Sequence, residues 1–225
     1  MNILYEDNHL IAVYKPAGIL VQGDETGDAT LMDDVKLYLK QKYSKPGKVF
    51  LGLLHRLDRP VSGIILFAKT SKGASRLSEQ FRSHNIKKVY HALVEGEMKQ
   101  QNGTLINFLK KDEQKNIVKV YDREVEGSKR AELDFEVVES NKKYSLVKII
   151  LKTGRSHQIR SQLAHIGHPI VGDVKYGACN STEDKKHSEI CLCATSLEFK
   201  SATGDEMHNL EIEIPQEWNT YVIAR

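Results

Sequence analysis

The chain has 225 residues, 40% hydrophobic and 28% charged, with a net charge of +3 at pH 7, which fits one domain, or one domain with a small appendage, able to bury a core of ordinary size. No apolar run approaches the ~20 residues that span a bilayer, and the N-terminus lacks a basic region and a small-residue cleavage site. Three cysteines are an odd number for a disulfide framework, so the expectation is a cytoplasmic protein rather than a membrane-spanning, secreted or disulfide-stapled one.

The opening ILYEDNHLIAVYKPAG reads as two short strands about an Asp-Asn turn, ended by Lys15-Pro16-Ala17-Gly18. Thr30 is placed as the N-cap of a helix with Asp33 at N3 and with Leu31, Val35, Tyr38 and Leu39 at helical spacing. Pro46-Gly47 closes that unit. After LLHRLDRPVSG, GIILFAKT reads as a strongly apolar strand, and Ser71 as the cap of a helix carrying Ala74, Leu77 and Phe81 on one face. KKVYHALVEG is a further strand, and residues 103–122 read as two strands about a charged turn. In AELDFEVVES, Ala131, Leu133, Phe135 and Val137 alternate with mostly acidic residues, the pattern of a half-buried strand. YSLVKIILKT follows as a strand, Ser156 is placed as the cap of a short helix HQIRSQLAHI ended by Gly167, and ICLCATSLEFKS and NLEIEIP are late strands. Strands outnumber helices and are often consecutive, so the predicted class is α+β with a mainly antiparallel sheet. No internal repeat or low-complexity linker divides the chain, and residues 1–225 are expected to form a single domain.

Charge is unevenly spread. Residues 36–91 hold 13 Lys and Arg against two acids, and residues 141–160 hold six against none, whereas residues 1–35 hold seven acids against one lysine. Two basic segments meeting in space would make the electrostatic footprint of a polyanion partner. Lysines that simply solvate exposed faces give the same count.

Common cofactor signatures are missing: there is no GxxxxGK[ST] loop, no GxGxxG fingerprint, no GxSxG elbow and no HExxH. Cys179, Cys191 and Cys193 lack the paired spacing of a zinc site, and His168, before Pro169, suits capping or packing. The expectation is therefore chemistry without metal or nucleotide cofactor, or no chemistry.

Three stretches could carry it. In HRLDRPVSG, Asp58 lies between Arg56 and Arg59, and Pro60 disfavours helical backbone at Arg59. An extended segment would put Arg56 and Asp58 on one face. The cluster is then either a salt-bridged loop or a carboxylate kept charged by arginine, able to act as nucleophile or base. In TGRSHQIR, Arg155 and Arg160 flank His157 near a helix start, a setting that suits phosphate or carboxylate binding but also an ordinary amphipathic helix with a basic side. Tyr90 in KKVYHALVEG is either strand packing or a ring that stacks on a base with a hydroxyl that exchanges a proton.

Read together, these residues resemble the RluA-type pseudouridine synthase family. HRLDRPVSG matches the signature HRLDxxTSG except at Val61, KVYHALVEG resembles the family's tyrosine motif, and TGRSHQIRSQLAHIGHPIVGD resembles its third motif. YKPAG resembles the first motif, where Asn is usual at the place of Tyr14, and LCATSLEF a late one, where His is common at the place of Cys193. The resemblance runs from about residue 3 to 215 and implies a pseudouridine synthase core: a mixed, mainly antiparallel sheet with flanking helices and a central RNA cleft. It implies isomerisation of uridine in rRNA or tRNA to pseudouridine with no external cofactor. Asp58 matches the essential aspartate, which attacks the ribose C1′ or removes a C2′ proton. Tyr90 matches the residue packed on the uracil, Arg160 the basic partner of the aspartate, and Arg56 a residue that enters the RNA and keeps the target base out of the stack. Arg155 and His157 are further candidate RNA contacts. The small N-terminal S4-type domain of many relatives is not expected here, and residues 23–29 and 178–189 are candidate specificity loops. RNA is the expected partner and a monomer the expected state, with no membrane and no nucleotide cofactor. Two alternatives remain: a non-catalytic RNA-binding protein on the same fold, and a metal-free RNA hydrolase using His55 or His157.

Overall fold

The computed structural model describes residues 1–25, 27–179 and 190–222. The chain forms two compact units, the first from residues 1–86 and 196–212, the second from 87–195 and 213–225. The chain is α+β, and the strand pairs within each unit run antiparallel.

The first unit is built on β1 (Ile3–Glu6), β2 (Leu10–Lys15), β3 (Gly52–Leu53) and β4 (Ser62–Ala68). β2 pairs with β4 from Leu10↔Ala68 to Lys15↔Gly63, and every residue of β4 is buried. A run buried on both faces cannot alternate, which is why GIILFA reads as continuously apolar. One face carries Leu10, Ala12, Ile64, Leu66 and Ala68 into a core with Leu77, Leu197 and Phe199. Leu77 comes from α2 (Ser71–Arg82). The residues from Ser196 on supply the outer part of β10 (Leu192–Lys200), which pairs with β11 (Met207–Glu211).

α1 (Leu31–Lys42) starts where expected, the Thr30 hydroxyl accepting the Asp33 N–H. α2 is capped by Thr70 rather than Ser71; its Oγ1 takes the Gly73 N–H. Gly73 is required there, because a Cβ would fall 2.7 Å from the His9 carbonyl oxygen.

The C-terminal end of α1 is tied to β1 through Glu6. That carboxylate receives Lys42 at 2.8 Å, the Tyr38 hydroxyl at 2.9 Å, the Tyr43 hydroxyl at 2.7 Å and Lys69 at 2.6 Å. Burial works against its charge, but the hydrogen bonds from Lys42, Lys69, Tyr43 and Tyr38 outweigh it and bring its pKa down to about 2. Because the folded value lies below the unfolded one, this contribution is present above the unfolded pKa and is lost as pH falls toward the folded one. Glu6→Gln strands the buried Lys69 ammonium without its counter-charge. An expected loss of about 3 kcal/mol would be read by urea unfolding at neutral pH, and the variant should also lack this group's share of the acid limb.

The second unit is a five-strand sheet in the order β5 (Lys87–Glu95), β9 (Tyr144–Leu151), β8 (Lys129–Ser140), β6 (Asn102–Asp112), β7 (Ile117–Tyr121). The predicted alternation of β8 holds at Ala131, Leu133 and Phe135, which are buried; a register shift follows Val137. α3 (Gln158–His165) packs against β6 and β7. The Gln162 Nε2 donates to Asn107 Oδ1, the Asn107 Nδ2 to Asp122, and His165 pairs with Asp122 at 2.9 Å. Residues 169–171 run beside β5, where Glu95 N–H donates to Pro169 O and Val171 N–H to Leu93 O. They lead into a 3-10 turn, Val174–Tyr176, while the short α4 (Asn219–Val222) lies on β9.

Candidate active site

In the first unit, Asp58 sits half-buried on the turn between β3 and β4, with Arg56 exposed beside it. The turn is closed by the Val61 N–H on the Asp58 carbonyl. His55 anchors the turn's start: its Nε2 accepts the Leu66 N–H of β4 at 3.0 Å, and its ring stacks on Phe81 at 4.9 Å. Lys15 anchors the far side. It is fully buried, and its Nζ donates to the carbonyls of Pro16 at 2.9 Å and Arg59 at 3.0 Å. Gly18 completes the clasp. Its N–H donates to Arg59 O and its own carbonyl accepts from Arg59 Nε, at a φ of 84° that glycine adopts without strain. Arg59 ends in an ion pair with Asp28 at 2.9 Å.

Lys15 sets a local charge balance. Burial pulls its pKa down most, the Asp58 charge holds it up in part, and Arg59 lowers it further, leaving it at about 8. The unfolded value is ~10.4, so between the two the unfolded chain binds more protons and stability rises with pH. Urea unfolding of the wild type at two pH values, about 8 and about 10, should show a gain of about 2 kcal/mol from this group. Lys15→Met should lack that gain; an equal slope in the variant would discard the assignment.

In the second unit, the loop before α3 is held by Gln158. Its Oε1 accepts from the Arg155 N–H at 3.0 Å and the Thr153 hydroxyl at 2.8 Å, and its Nε2 donates to Glu132 O. This side chain does the work expected of Ser156. The residue at the cap position is His157, left-handed at φ 49° and without a side-chain cap. Arg160, on the first turn of α3, is 5% exposed and meets Asp173, 1% exposed, through two bonds: Nε to Oδ2 at 2.6 Å and Nη2 to Oδ1 at 2.8 Å. The Tyr176 ring lies 5.1 Å from the guanidinium carbon. The Tyr176 hydroxyl accepts the Val118 N–H at 2.9 Å and shares a hydrogen with His157 Nδ1 at 2.7 Å. Tyr90 is buried on β5, opposite Ile149 and on the sheet face of Phe135. Two residues earlier on that face, burial lowers the Lys88 pKa, and its Nζ lies 3.5 Å from where a Gly154 Cβ would stand.

The structure thus joins Arg160 and His157 through Tyr176, a residue that sequence reasoning passed over. It separates Arg155 from Arg160: the exposed Arg155 reaches back to Arg130 O on β8 at 3.0 Å. Arg59 pairs with Asp28, and the His55 ring is a splice in the strand backbone. Lys15 and Asp173 were also passed over, although a lysine ending an apolar strand and a lone acid closing a basic motif were both visible signals. His168 has the packing role expected of it, against Glu95 O at 2.9 Å. Of the two candidate specificity loops, residue 26 and residues 180–189 lie outside the described residues.

Residues 9–165 match the family model described as RNA pseudouridylate synthase. The chain belongs to that family. It is 36% identical over 216 residues to the ribosomal large subunit pseudouridine synthase C of Buchnera aphidicola subsp. Schizaphis graminum, an alignment covering 92% of this chain and 65% of that protein. It is 34% identical over 188 residues to the tRNA pseudouridine synthase C of Salmonella typhimurium, covering 79% and 70%. The chain therefore spans about two thirds of these relatives' length. Among solved structures it shares the fold of human RNA pseudouridylate synthase domain containing 4, with a TM-score of 0.80 at 22% identity over 96% of this chain and 90% of that one. The family assignment agrees with the motif resemblance, and the fold match with the α+β expectation. No described helix is long and apolar enough to cross a membrane.

Proposed function

We propose that this RNA pseudouridylate synthase family member isomerises uridine in rRNA or tRNA to pseudouridine, with Asp58 as the carboxylate that meets the ribose. The observation that carries the reading is Asp58 itself: a half-buried carboxylate beside an exposed arginine, on a turn fastened at His55 and Lys15, in the HRLD stretch that resembles the family signature and lies inside the matched residues 9–165. The relatives named for ribosomal and transfer RNA support both substrate classes.

The reaction breaks the N1–C1′ bond and forms a C5–C1′ bond. C5 gives up a proton and N1 gains one, so no atoms or electrons are exchanged overall and no cofactor is needed. The uridine must first leave the stack, at a cost of a few kcal/mol, which Arg56 and the phosphate attraction of exposed cations such as Arg155 offset. Asp58 then attacks C1′ or removes a C2′ proton. Tyr90 provides a floor for the freed uracil while it turns and helps move the C5 proton. The family resemblance gives Arg160 the role of the site's cation, and His157 is a candidate RNA contact.

The test is incubation with rRNA and tRNA carrying tritium at uridine C5. Label release with RNA length unchanged is expected. Label retained in both pools would sink the proposal, and shortened RNA would point to a hydrolase.

A further inference from the structure

Arg160 is held by more than its place on α3. Asp173 and Tyr176 stand at the two ends of one short 3-10 turn, Asp173 at its cap and Tyr176 at its last residue. Asp173 grips the Nε–Nη2 edge of the guanidinium, and the Tyr176 ring covers it at 5.1 Å. The turn is itself tied down. Tyr176 N–H and Ala178 N–H both donate to Asp173 O, Asp173 N–H donates to Ile170 O, and the Tyr176 hydroxyl is fixed by Val118 and His157. A two-bond grip on a planar fork fixes the rotation of the plane as well as its position. The edge not turned to Asp173 is the one that carries Nη1.

We propose that Asp173 and Tyr176 are positioning residues for the reaction: a holder that sets the direction in which Arg160 presents Nη1. This rests on the reading of Arg160 as a residue of the reacting site. A misplacement of about 1 Å in such a group can cost about 100-fold in rate. Asp173→Asn keeps the shape but loses the charge-assisted grip. It is expected to lower kcat about 100-fold with KM within about twofold. In an Arg160→Lys background, where no fork remains to be held, adding Asp173→Asn should change kcat less than about threefold.

Tyr176→Phe keeps the ring over the guanidinium and Tyr176→Leu removes it. Phe gives up the hydroxyl tie to Val118 and His157, so the Leu variant should show the distinctly larger kcat-selective loss, and this pair decides the matter should Asp173→Asn not fold. A fully additive Asp173→Asn effect in the Arg160→Lys background, a loss confined to melting temperature, or equal kcat in the two Tyr176 variants would overturn the holder. A nuclear magnetic resonance signal gives an arm independent of turnover. The Arg160 Nε–H, assigned by its absence in Arg160→Lys, should exchange slowly with water in the wild type and quickly in Asp173→Asn. If the wild type isomerises no uridine, the functional reading fails, and this signal alone decides: exchange indifferent to Asp173→Asn discards the holder, and exchange that depends on it keeps it.

Discussion

Asp58→Asn should leave a folded, RNA-binding protein whose label release from C5-tritiated RNA has fallen on the order of 10³-fold or more. The two side chains have nearly the same shape, and the turn is closed by backbone: Val61 N–H on Asp58 O, Lys15 and Gly18 on Arg59 O. Those closures run through backbone atoms and the Lys15 ammonium, so the fold should survive the substitution, although Lys15 loses a charge that helps to keep it protonated. What vanishes is an anion able to attack C1′ or take a proton, since a neutral amide does neither. Release retained above a tenth of the wild-type rate would mean that another group carries the reaction.

The second large effect falls on stability. Arg160→Met leaves the Asp173 carboxylate 1% exposed with its two-bond partner gone. Breaking a buried pair from one side costs about 3–5 kcal/mol, expected as a lower urea midpoint with an unchanged slope. Removing both charges, as in Arg160→Met with Asp173→Leu, should recover much of that stability, because a buried pair often does no better than an apolar one of similar volume. It should recover none of the isomerisation. A single Arg160→Met as stable as the wild type would show that Asp173 finds another partner. Separation of the two readouts in the double variant is the informative result, since it tells a stabilising pair from a working one.

Local chemistry was legible wherever it depends on neighbours in sequence. The Thr30 cap, the alternation of β8 and the continuous apolar run of β4 follow from rules that act over a few residues. The capping errors have the same origin. Thr70 and Ser71 are both good caps, and the choice is made by the position of Gly73 N–H and by His9, whose Nδ1 lies 2.8 Å from Thr70 Oγ1. At α3, Gln158 folds its own side chain back over the loop, which a rule that looks for a hydroxyl at the cap does not foresee. Asp58, Tyr90 and Arg160 stood out because they sit in recognisable motifs. Lys15 and Asp173 did not, because what makes them unusual is burial against partners 44 and 13 residues away. An ionisable residue that will be buried looks, in sequence, like one that will be solvated.

The two fastenings of the Asp58 turn have a thermodynamic consequence. With His55 spliced into β4 at one end and Lys15 and Gly18 clasping Arg59 at the other, the loop loses its conformational freedom when the protein folds rather than when a substrate binds. The backbone that carries Asp58 is preorganised, and the entropy of ordering it is not charged against binding. Under the proposed function, the free energy of the encounter can then go into the nucleic acid, where the target uridine has to be unstacked and turned out. In the proposed division of labour this chain is the rigid partner and the RNA is the one that deforms.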